Sequence, residues 1–460
     1  MRLFTMTRAS ARKPLGTFSC AGGIASCSSI SSNSKQTSDR PRLRLLPRHS
    51  NSRGGDARAS RGFPWIFRDE AANIEELRAS GRPAVLANVE TSEGRELGAA
   101  VCNLQKGGAT GNVNILARMV ADNIDLPIDH AFFMQQIRRS LQHREHVFGT
   151  KRYYRLLNGE GDHLPGVNCD VYGDVLVLQF TSAAMEILFE ELVLDALEAV
   201  MAPRAIIVRH DANMDRQLEL APSRPPVVAR GEYHGPTDLP EEDGLVFSAD
   251  LLAPDWVSGR FFAERPQRVA LATALASLSA RRRKGERPPQ MLSFFGESSG
   301  VLCALKGCST TCIFGLGEVS MARVEQLACR NHCWEGLECL CMEAPQAGLP
   351  NERLGTFDIV TLEPPAFAPT YGKLEEGMQK YAAWTGLAAS AVKPGGLLLV
   401  ACRSRAISIV KLMRSINLGI WSARRKAMLV QRSSSGPPDF PVHASLLDTN
   451  EMQFLALRMT

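Results

Sequence analysis

The 460-residue chain contains no run of 18 or more apolar residues, which excludes a hydrophobic membrane-spanning helix. It also lacks the composition of collagen-like, coiled-coil or wholly disordered proteins, because 45% of its residues are hydrophobic and only 22% are charged. No internal repeat is visible. This length and composition predict a protein of two or three domains, with enough apolar side chains for sizeable cores.

Acidic residues are absent from positions 1–38, and residues 1–61 contain 12 Lys and Arg, 12 serines and only two acids. An Arg-rich, Ser-rich and acid-poor segment is typical of an organelle transit peptide, and we expect the mitochondrion rather than the plastid. The compact apolar stretch of a secretory signal is missing. We therefore predict a transit peptide and a disordered basic linker over residues 1–61, the alternative being a disordered tail that contacts RNA.

Cysteine spacing typical of a disulfide framework or a metal site is lacking as well. Seven of the 12 cysteines fall within residues 303–341, but Cys308 and Cys312, like Cys329 and Cys333, are separated by three residues and not by two. Several of them lie in apolar helix or strand patterns, where a free cysteine packs as a small hydrophobic residue. We expect core packing and no metal, with a zinc or iron–sulfur site as the alternative.

The remaining sequence divides into three modules. Residues 62–127 contain short alternating strands and predict a small β-rich domain. Residues 128–240 predict an α+β domain with a three-stranded meander, followed by loops over residues 211–243. Residues 241–460 alternate strands with helices, which predicts an α/β fold: a doubly wound, mostly parallel sheet with its site at the carboxyl ends of the strands.

Candidate site residues follow the strands of the last module. The turn Phe295-Gly296-Glu297-Ser298-Ser299-Gly300 lies between a predicted strand and a helix, where the backbone can approach a ligand closely. Glu318 follows the next strand, where an acid commonly binds a ribose diol, and Glu343 follows the apolar stretch Leu340-Cys341-Met342. Glu363-Pro364-Pro365-Ala366-Phe367 ends another strand and holds a carboxylate and an aromatic ring on a rigid turn, unless it is only a proline-stiffened loop. Cys402 follows a fifth strand, where it is either a nucleophile or a packing residue.

Residues 155–172, RLLNGEGDHLPGVNCDVY, resemble the signature R-L-x-x-G-E-x-D-x-L-P-G-x-x-x-D-x-Y of a bacterial family. This family comprises the large-subunit ribosomal RNA (cytosine-5)-methyltransferases with an N-terminal PUA domain. Residues 64–67 (PWIF) and 440–443 (FPVH) are also similar, and the resemblance runs from about residue 62 to residue 460. It implies a PUA-like RNA-binding domain at 62–127, a central domain at 128–240 and a class I methyltransferase domain at 241–460.

The resemblance also implies a cofactor, S-adenosylmethionine, and the residues that bind it. Those residues are Phe295, Gly296, Ser298, Gly300, Glu318, Glu343 and Arg265. It makes Cys402 the thiolate that adds to C6 of a cytosine, which activates C5 for methylation, and Glu363 the group that delivers a proton or hydrogen bond near N3. Three family acids, at or near Glu318, Glu343 and Glu363, are Glu here, and two motif lysines are lost.

These departures leave three functions open. The first is an organellar ribosomal RNA methyltransferase acting on a single-stranded or looped target. The second is a degenerate methyltransferase fold that acts as an RNA-binding or ribosome-assembly factor. The third is a methyltransferase for another base or for protein. Arg281-Arg282-Arg283-Lys284 is either an RNA-contacting patch or a solvated loop, and a second copy of the chain is a candidate partner, whereas a membrane is not.

Overall fold

The computed structural model describes residues 39–48, 55–105, 115–149, 151–210, 223–240, 244–254, 256, 258–314, 318–342, 344–404, 406–433, 436–446 and 452–460. The segment at 1–38, which carries most of the predicted transit peptide, lies outside the described residues. Among the residues described, no helix combines the length and apolar character needed to cross a bilayer.

The N-terminal part forms a five-stranded sheet in the order β1-β3-β4-β5-β2. Its elements are β1 (Arg42–Arg44), α1 (Asp56–Ala59), β2 (Trp65–Phe67), α2 (Ile74–Arg78), β3 (Ala84–Glu90), β4 (Glu96–Asn103) and β5 (Ile115–Ala121). β1 pairs in parallel with β3, and Leu43 is fully buried between two exposed arginines. The predicted disordered linker is therefore wrong at β1, because this leucine inserts into the core while its basic neighbours remain in solvent.

The central part is a second five-stranded sheet in the order β10-β9-β8-β7-β6. Its elements are α3 (His130–Phe148), β6 (Tyr153–Asn158), β7 (Val167–Tyr172), β8 (Val175–Phe180), α4 (Ala183–Met201), β9 (Ala205–His210) and β10 (Arg224–Gly231). The meander β6–β8 is antiparallel as predicted, and β9 returns parallel to β8 after α4. β10 lies where we predicted loops, because its two prolines are tolerated in an edge strand. A hairpin of β11 (Thr237–Pro240) and β12 (Val246–Ala249) follows.

The C-terminal part is a seven-stranded sheet in the order β15-β14-β13-β16-β17-β19-β18. Its strands are β13 (Gln290–Phe294), β14 (Ser309–Phe314), β15 (Leu337–Cys341), β16 (Phe357–Leu362), β17 (Val392–Cys402), β18 (Ala427–Ser433) and β19 (Gln453–Met459). Its helices are α5 (Arg260–Ala263), α6 (Arg265–Arg281), α7 (Glu297–Leu305), α8 (Glu318–Arg330), α9 (Leu374–Ala391) and α10 (Ile409–Ser422). β13 to β17 pair in parallel and β19 runs against both of its neighbours. The predicted doubly wound sheet is confirmed.

Side chains of this sheet alternate between two hydrophobic cores. Met291 and Ala401 belong to the core that also contains side chains of α6, α7 and α8. Leu292, Val400 and Cys402 belong to the other core, with side chains of α9 and α10. The face on which a strand residue lies therefore decides which helices it can contact.

The signature segment of the central domain supplies buried ion pairs. Arg155 Nε donates to Asp170 Oδ1 at 2.8 Å, and the backbone N–H of Arg155 donates to Asp439 Oδ2 at 2.9 Å. Arg144 pairs with Asp162, with 2.7 Å between Nη2 and Oδ2, and also donates to the Asp439 carbonyl at 3.0 Å. Because Asp439 belongs to the C-terminal part, these contacts fix the central domain to it.

A second signature residue joins the central domain to the first sheet. Glu160 accepts a hydrogen bond from Trp65 Nε1 at 2.8 Å and forms an ion pair with Arg118. The Arg118 guanidinium also lies 5.2 Å from the centre of the Trp65 ring. The signature therefore serves the assembly of the domains.

Candidate active site

The glycine turn lies at the carboxyl end of β13, as predicted. Phe295 has φ 62°, a conformation uncommon for a residue with a side chain. Its ring packs against Trp384, 4.7 Å away between centroids, and against Phe367 at 6.3 Å. Gly296 caps α7, and Ser298 is buried in the first turn of that helix. Backbone strain held by surrounding packing is a feature of ligand sites.

The two glycines of the turn are required by close packing. A Cβ on Gly296 would lie 2.5 Å from Glu363 Oε1 and from Ser293 Oγ. A Cβ on Gly300 would lie 2.3 Å from Cys312 Sγ. The backbone of the turn therefore rests directly on the Glu363 carboxylate, so that these predicted site residues do come together.

Glu363 is buried at the end of β16, with 6% of its surface exposed. Its backbone N–H donates to the Phe294 carbonyl at 2.9 Å, which continues the pairing of β16 with β13. Gln267 Nε2 donates to Glu363 Oε2. Glu363 Oε1 has no hydrogen-bond partner among the described residues, so a buried acceptor is left for a ligand.

Burial raises the pKa of Glu363 to about 7, and the negative charge of Glu264 adds to the rise. The hydroxyls of Ser299 and Thr361 and the charge of Arg403 act in the opposite direction. Both protonation states of Glu363 are therefore populated near neutral pH, as a group that exchanges a proton requires.

Glu264 is a site residue that the sequence did not single out. Arg403 forms an ion pair with it, and Ser298 Oγ donates to its Oε2 at 3.1 Å. Glu264 is 5% exposed. Its position directly before Arg265 was the available signal, whereas nothing in the sequence pairs it with Arg403, 139 positions away.

Cys402 does not lie with these groups. As the last residue of β17 it points into the core formed with α9 and α10, beside Tyr381, whereas Arg403 on the opposite face reaches Glu264. Cys402 is 1% exposed, and burial raises the pKa of its thiol. Strand alternation therefore separates the predicted nucleophile from Glu363, which corrects their expected pairing on the rim.

Arg265, predicted to bind the cofactor, is part of the domain contacts instead. It pairs with Asp439 at 3.1 Å and donates to the Tyr153 carbonyl at 2.9 Å. Adjacent helical residues point about 100° apart, so Arg265 and Glu264 face different surroundings. Glu318 begins α8 but its side chain is outside the described part of the chain, and Glu343 lies outside it altogether.

A cavity of about 360 Å³ adjoins the turn. It lies between the β11–β12 hairpin, α7 and α8, and Glu264, Ser298 and Glu297 reach its wall. Trp256 and Phe247 supply its apolar part. A volume in this range is typical of small-molecule sites, and the wall carries arginines (Arg323 and Arg330) as well as acids.

The cysteine-rich segment does not form a metal centre in the part of the chain that the structure describes, where no group of three or more ligands is suitably placed. Cys303, Cys308 and Cys312 lie in the core shared with α6 to α8, which confirms packing for these three. Cys329 and Cys341 are exposed.

The order of the seven strands, the reversed β19 and the glycine turn after the inner strand β13 define the class I methyltransferase fold. Two solved structures support this assignment of the fold. One is a chain provisionally classed as a methyltransferase and crystallised with SAH; its TM-score is 0.71 at 15% identity, over 91% of this chain and 100% of that one. The other, from Streptococcus mutans, is provisionally classed as SAM-dependent, with a TM-score of 0.68, 15% identity and the same coverage.

Sequence comparison points to one set of relatives, although no protein-family model matches the chain. The ribosomal RNA large subunit methyltransferase I of Shewanella denitrificans is 23% identical over 428 residues, 91% of this chain and 99% of that protein. The protein of the same name from Aeromonas salmonicida is 26% identical over 360 residues, 75% of this chain and 83% of that protein. The similarity thus extends over the three parts described above.

Proposed function

We propose that the chain is an S-adenosylmethionine-dependent methyltransferase that acts on RNA of the large ribosomal subunit. The observation that carries this proposal is the glycine turn after β13, an inner strand of a class I sheet, with two buried acids beside it. The end-to-end similarity to ribosomal RNA methyltransferases supports the substrate class.

The residues beside the turn suit this cofactor, which carries a positive sulfonium. Glu363 Oε1 is an unpartnered buried acceptor, and Glu264 adds a second carboxylate at the neighbouring cavity. Ser298 and Gly296 supply the start of α7, whose backbone N–H groups suit a negatively charged group. When bound, the cofactor supplies an activated methyl group.

Within this site Glu363 holds or releases a proton on Oε1, since its pKa of about 7 makes both states available. Gln267 fixes Oε2 and so orients the other oxygen. Arg403 compensates the charge of Glu264, which would otherwise stand unpaired beside a second acid. These residues can orient a heterocycle that accepts or donates a hydrogen bond at the carboxyl end of β16.

The finer part of the proposal is C5 methylation of a cytosine in organellar large-subunit ribosomal RNA, with the first sheet acting as a PUA-like RNA-binding domain. The motif around Cys402 supports this target, and the acid-free segment 1–38 supports an organelle, with the mitochondrion favoured. This chemistry requires the Cys402 thiol to reach the base.

A second candidate function is favoured by the position of Cys402. A thiol that is buried, of raised pKa and on the face opposite Glu363 is a poor nucleophile. The same scaffold without methyl transfer would act as an RNA-binding or ribosome-assembly factor.

The deciding experiment is a calorimetric titration of S-adenosylmethionine, and of its demethylated product, into the full chain. We expect micromolar binding, weakened by Glu264→Ala, whose side chain reaches the cavity, and unchanged by Glu375→Ala, an exposed residue of α9. If the folded wild type does not bind the cofactor at millimolar concentration, the methyltransferase function is refuted and the RNA-binding or ribosome-assembly factor is the remaining candidate.

Transfer of a tritiated methyl group to ribosomal RNA then tests the chemistry. Cys402→Ala should abolish transfer without affecting cofactor binding if C5 is the target, and Cys303→Ala, a buried thiol in α7, serves as the control. Methyl transfer that persists in Cys402→Ala contradicts the assignment of cytosine C5 as the target, but it still supports a methyltransferase.

A further inference from the structure

Residues 377–438 contain no Asp or Glu, but ten Lys and Arg. About a third of this stretch forms α10 and β18, and β18 is the last strand at one edge of the C-terminal sheet. β18 is paired only with β19 among the described strands. The globular part of the chain is mildly acidic, with a net charge of −5 over residues 62–460, so this edge is a local concentration of positive charge.

The same edge exposes large apolar side chains. Trp421, at 76%, is more exposed than any other large hydrophobic residue in the described part of the chain, and Val410 and Leu418 are 66% and 54% exposed. Their spacing places them with Arg414 on one face of α10. We call the following set the α10–β18 surface: Val410, Lys411, Arg414, Leu418, Trp421, Arg424, Lys426 and Arg432.

The basic side chains of this surface have no acidic partner within the described residues. Lys411, Arg414 and Arg424 form no ion pair there, and the same holds for Lys426 and Arg432. By contrast, Lys380 on the neighbouring α9 pairs with Glu376 at 2.7 Å. The α10–β18 surface thus presents cations whose counter-ions must come from outside the described chain.

The surface starts at the rim that carries the candidate site. Ser408 caps α10 only six positions after Cys402, and α10, with 14 residues, is about 21 Å long. β18 ends at Ser433, which is paired with Phe454, itself the partner of Ala401 at the end of β17. The surface therefore extends from the rim down the side of the domain. Trp421 and Arg424, between the end of α10 and the start of β18, lie at its far end, which is the end of the sheet where Arg281–Lys284 precedes β13.

We propose that the α10–β18 surface binds the single-stranded RNA that flanks the target nucleotide. Trp421 stacks on a base, while Arg414, Arg424 and Arg432 contact phosphates. This inference rests on the proposed function, which supplies RNA as the substrate. Charge complementarity favours RNA over a second copy of the chain, because two acid-free surfaces repel each other.

Binding of a fluorescein-labelled single-stranded RNA of about 15 nucleotides to the full chain, followed by anisotropy at several salt concentrations, tests the proposal. Trp421→Ala should weaken binding about tenfold, whereas Trp421→Phe, which keeps a stacking ring, should stay within about twofold. Arg414→Gln combined with Arg424→Gln should weaken binding and reduce the slope of log K against log salt by about 1.4. Lys380→Gln removes a charge that already has a partner and should change neither quantity.

The wild type and the variants separate two kinds of failure. If the wild type binds RNA and the Trp421 and arginine variants bind equally well, the α10–β18 surface is not the RNA site and the inference is overturned. If the wild type binds no RNA, the proposed function fails, and the inference fails with it. Two other outcomes with unchanged RNA binding would also refute the proposal. A dimer that dissociates in Trp421→Ala would assign the surface to a second copy of the chain, and loss of binding to phosphatidylserine vesicles in this variant would assign it to a lipid.

Discussion

Replacing Glu363 by Gln should stabilise the chain at pH 8 and leave its stability unchanged only below about pH 4.5. Burial raises the pKa of Glu363 from an ordinary 4.5 to about 7, so the folded state favours the neutral carboxyl. For an acid with a raised pKa, the associated stability is fully present below pH 4.5, falls as the pH rises to about 7 and is absent above it. Glutamine has the same shape and no charge, and therefore keeps this stability at every pH.

The size of the effect follows from the same two pKa values. Each tenfold change in proton affinity corresponds to about 1.4 kcal/mol, so the rise from 4.5 to about 7 corresponds to about 3 kcal/mol at most. Gln267 still has an acceptor oxygen in the Glu363→Gln variant, but the amide NH2 that replaces the second oxygen cannot accept from the hydroxyls of Ser299 and Thr361. The gain at pH 8 should therefore stay below this figure.

Urea unfolding at pH 5, 6, 7 and 8, followed in parallel by tryptophan fluorescence and circular dichroism, measures the difference between wild type and variant. Because every other group titrates in both proteins, the difference isolates Glu363. Glu264→Gln should make this loss of stability smaller and complete at a lower pH, since it removes a charge that raises the pKa of Glu363. A constant difference from pH 5 to pH 8 would show that Glu363 is solvated, and would refute the buried position described for it.

Two further changes test the contacts that hold the domains together. Gly259→Ala should lower the free energy of unfolding by about 3 kcal/mol, because the φ of Gly259 is 76° and a Cβ there would lie 1.9 Å from Arg155 Nη2. The control is Gly395→Ala, where φ is 78° but the space around the Cβ is open, and it should lower the free energy of unfolding by only about 1 kcal/mol. Equal effects in urea unfolding would contradict the clash. Asp439→Ala leaves the buried Arg265 without its carboxylate and should lower stability by about 3–5 kcal/mol, which a change of melting temperature below a few degrees would disprove.

Much of the fold was predictable because its signals are local. The alternating strands and helices of the last module, the meander and the glycine turn depend on hydrophobic period and turn residues, which a single sequence displays. β1 and β10 were missed for the opposite reason. Arg42–Arg44 reads as basic tail and β10 contains two prolines, so only pairing with distant strands makes either of them a strand.

The candidate site was predictable at the turn and at Glu363, since both are strand ends of one parallel sheet. The role of Arg265 could not be predicted from the sequence, because its partner Asp439 lies 174 positions away. The signature at 155–172 is highly specific for the family, yet its residues hold the domains together and do not line the candidate site. Arg155 and Asp170 are fully buried against each other, so the most recognisable part of the chain reports how its domains assemble and leaves the activity open.

The face on which Cys402 lies decides which chemistry the rim can perform. Leu398, Val400 and Cys402 share one face of β17, so a thiol could meet Glu363 only if the strand end rotated or if the cysteine stood at position 401 or 403. We expect iodoacetamide at pH 7.5, read out by peptide mass spectrometry, to label Cys329 and Cys341 at least a hundredfold faster than Cys402, since the first two are exposed. If Cys402 reacts as fast as Cys329, the end of β17 opens in solution. The Cys402 thiol could then reach the base, and Cys402 would again be a candidate nucleophile.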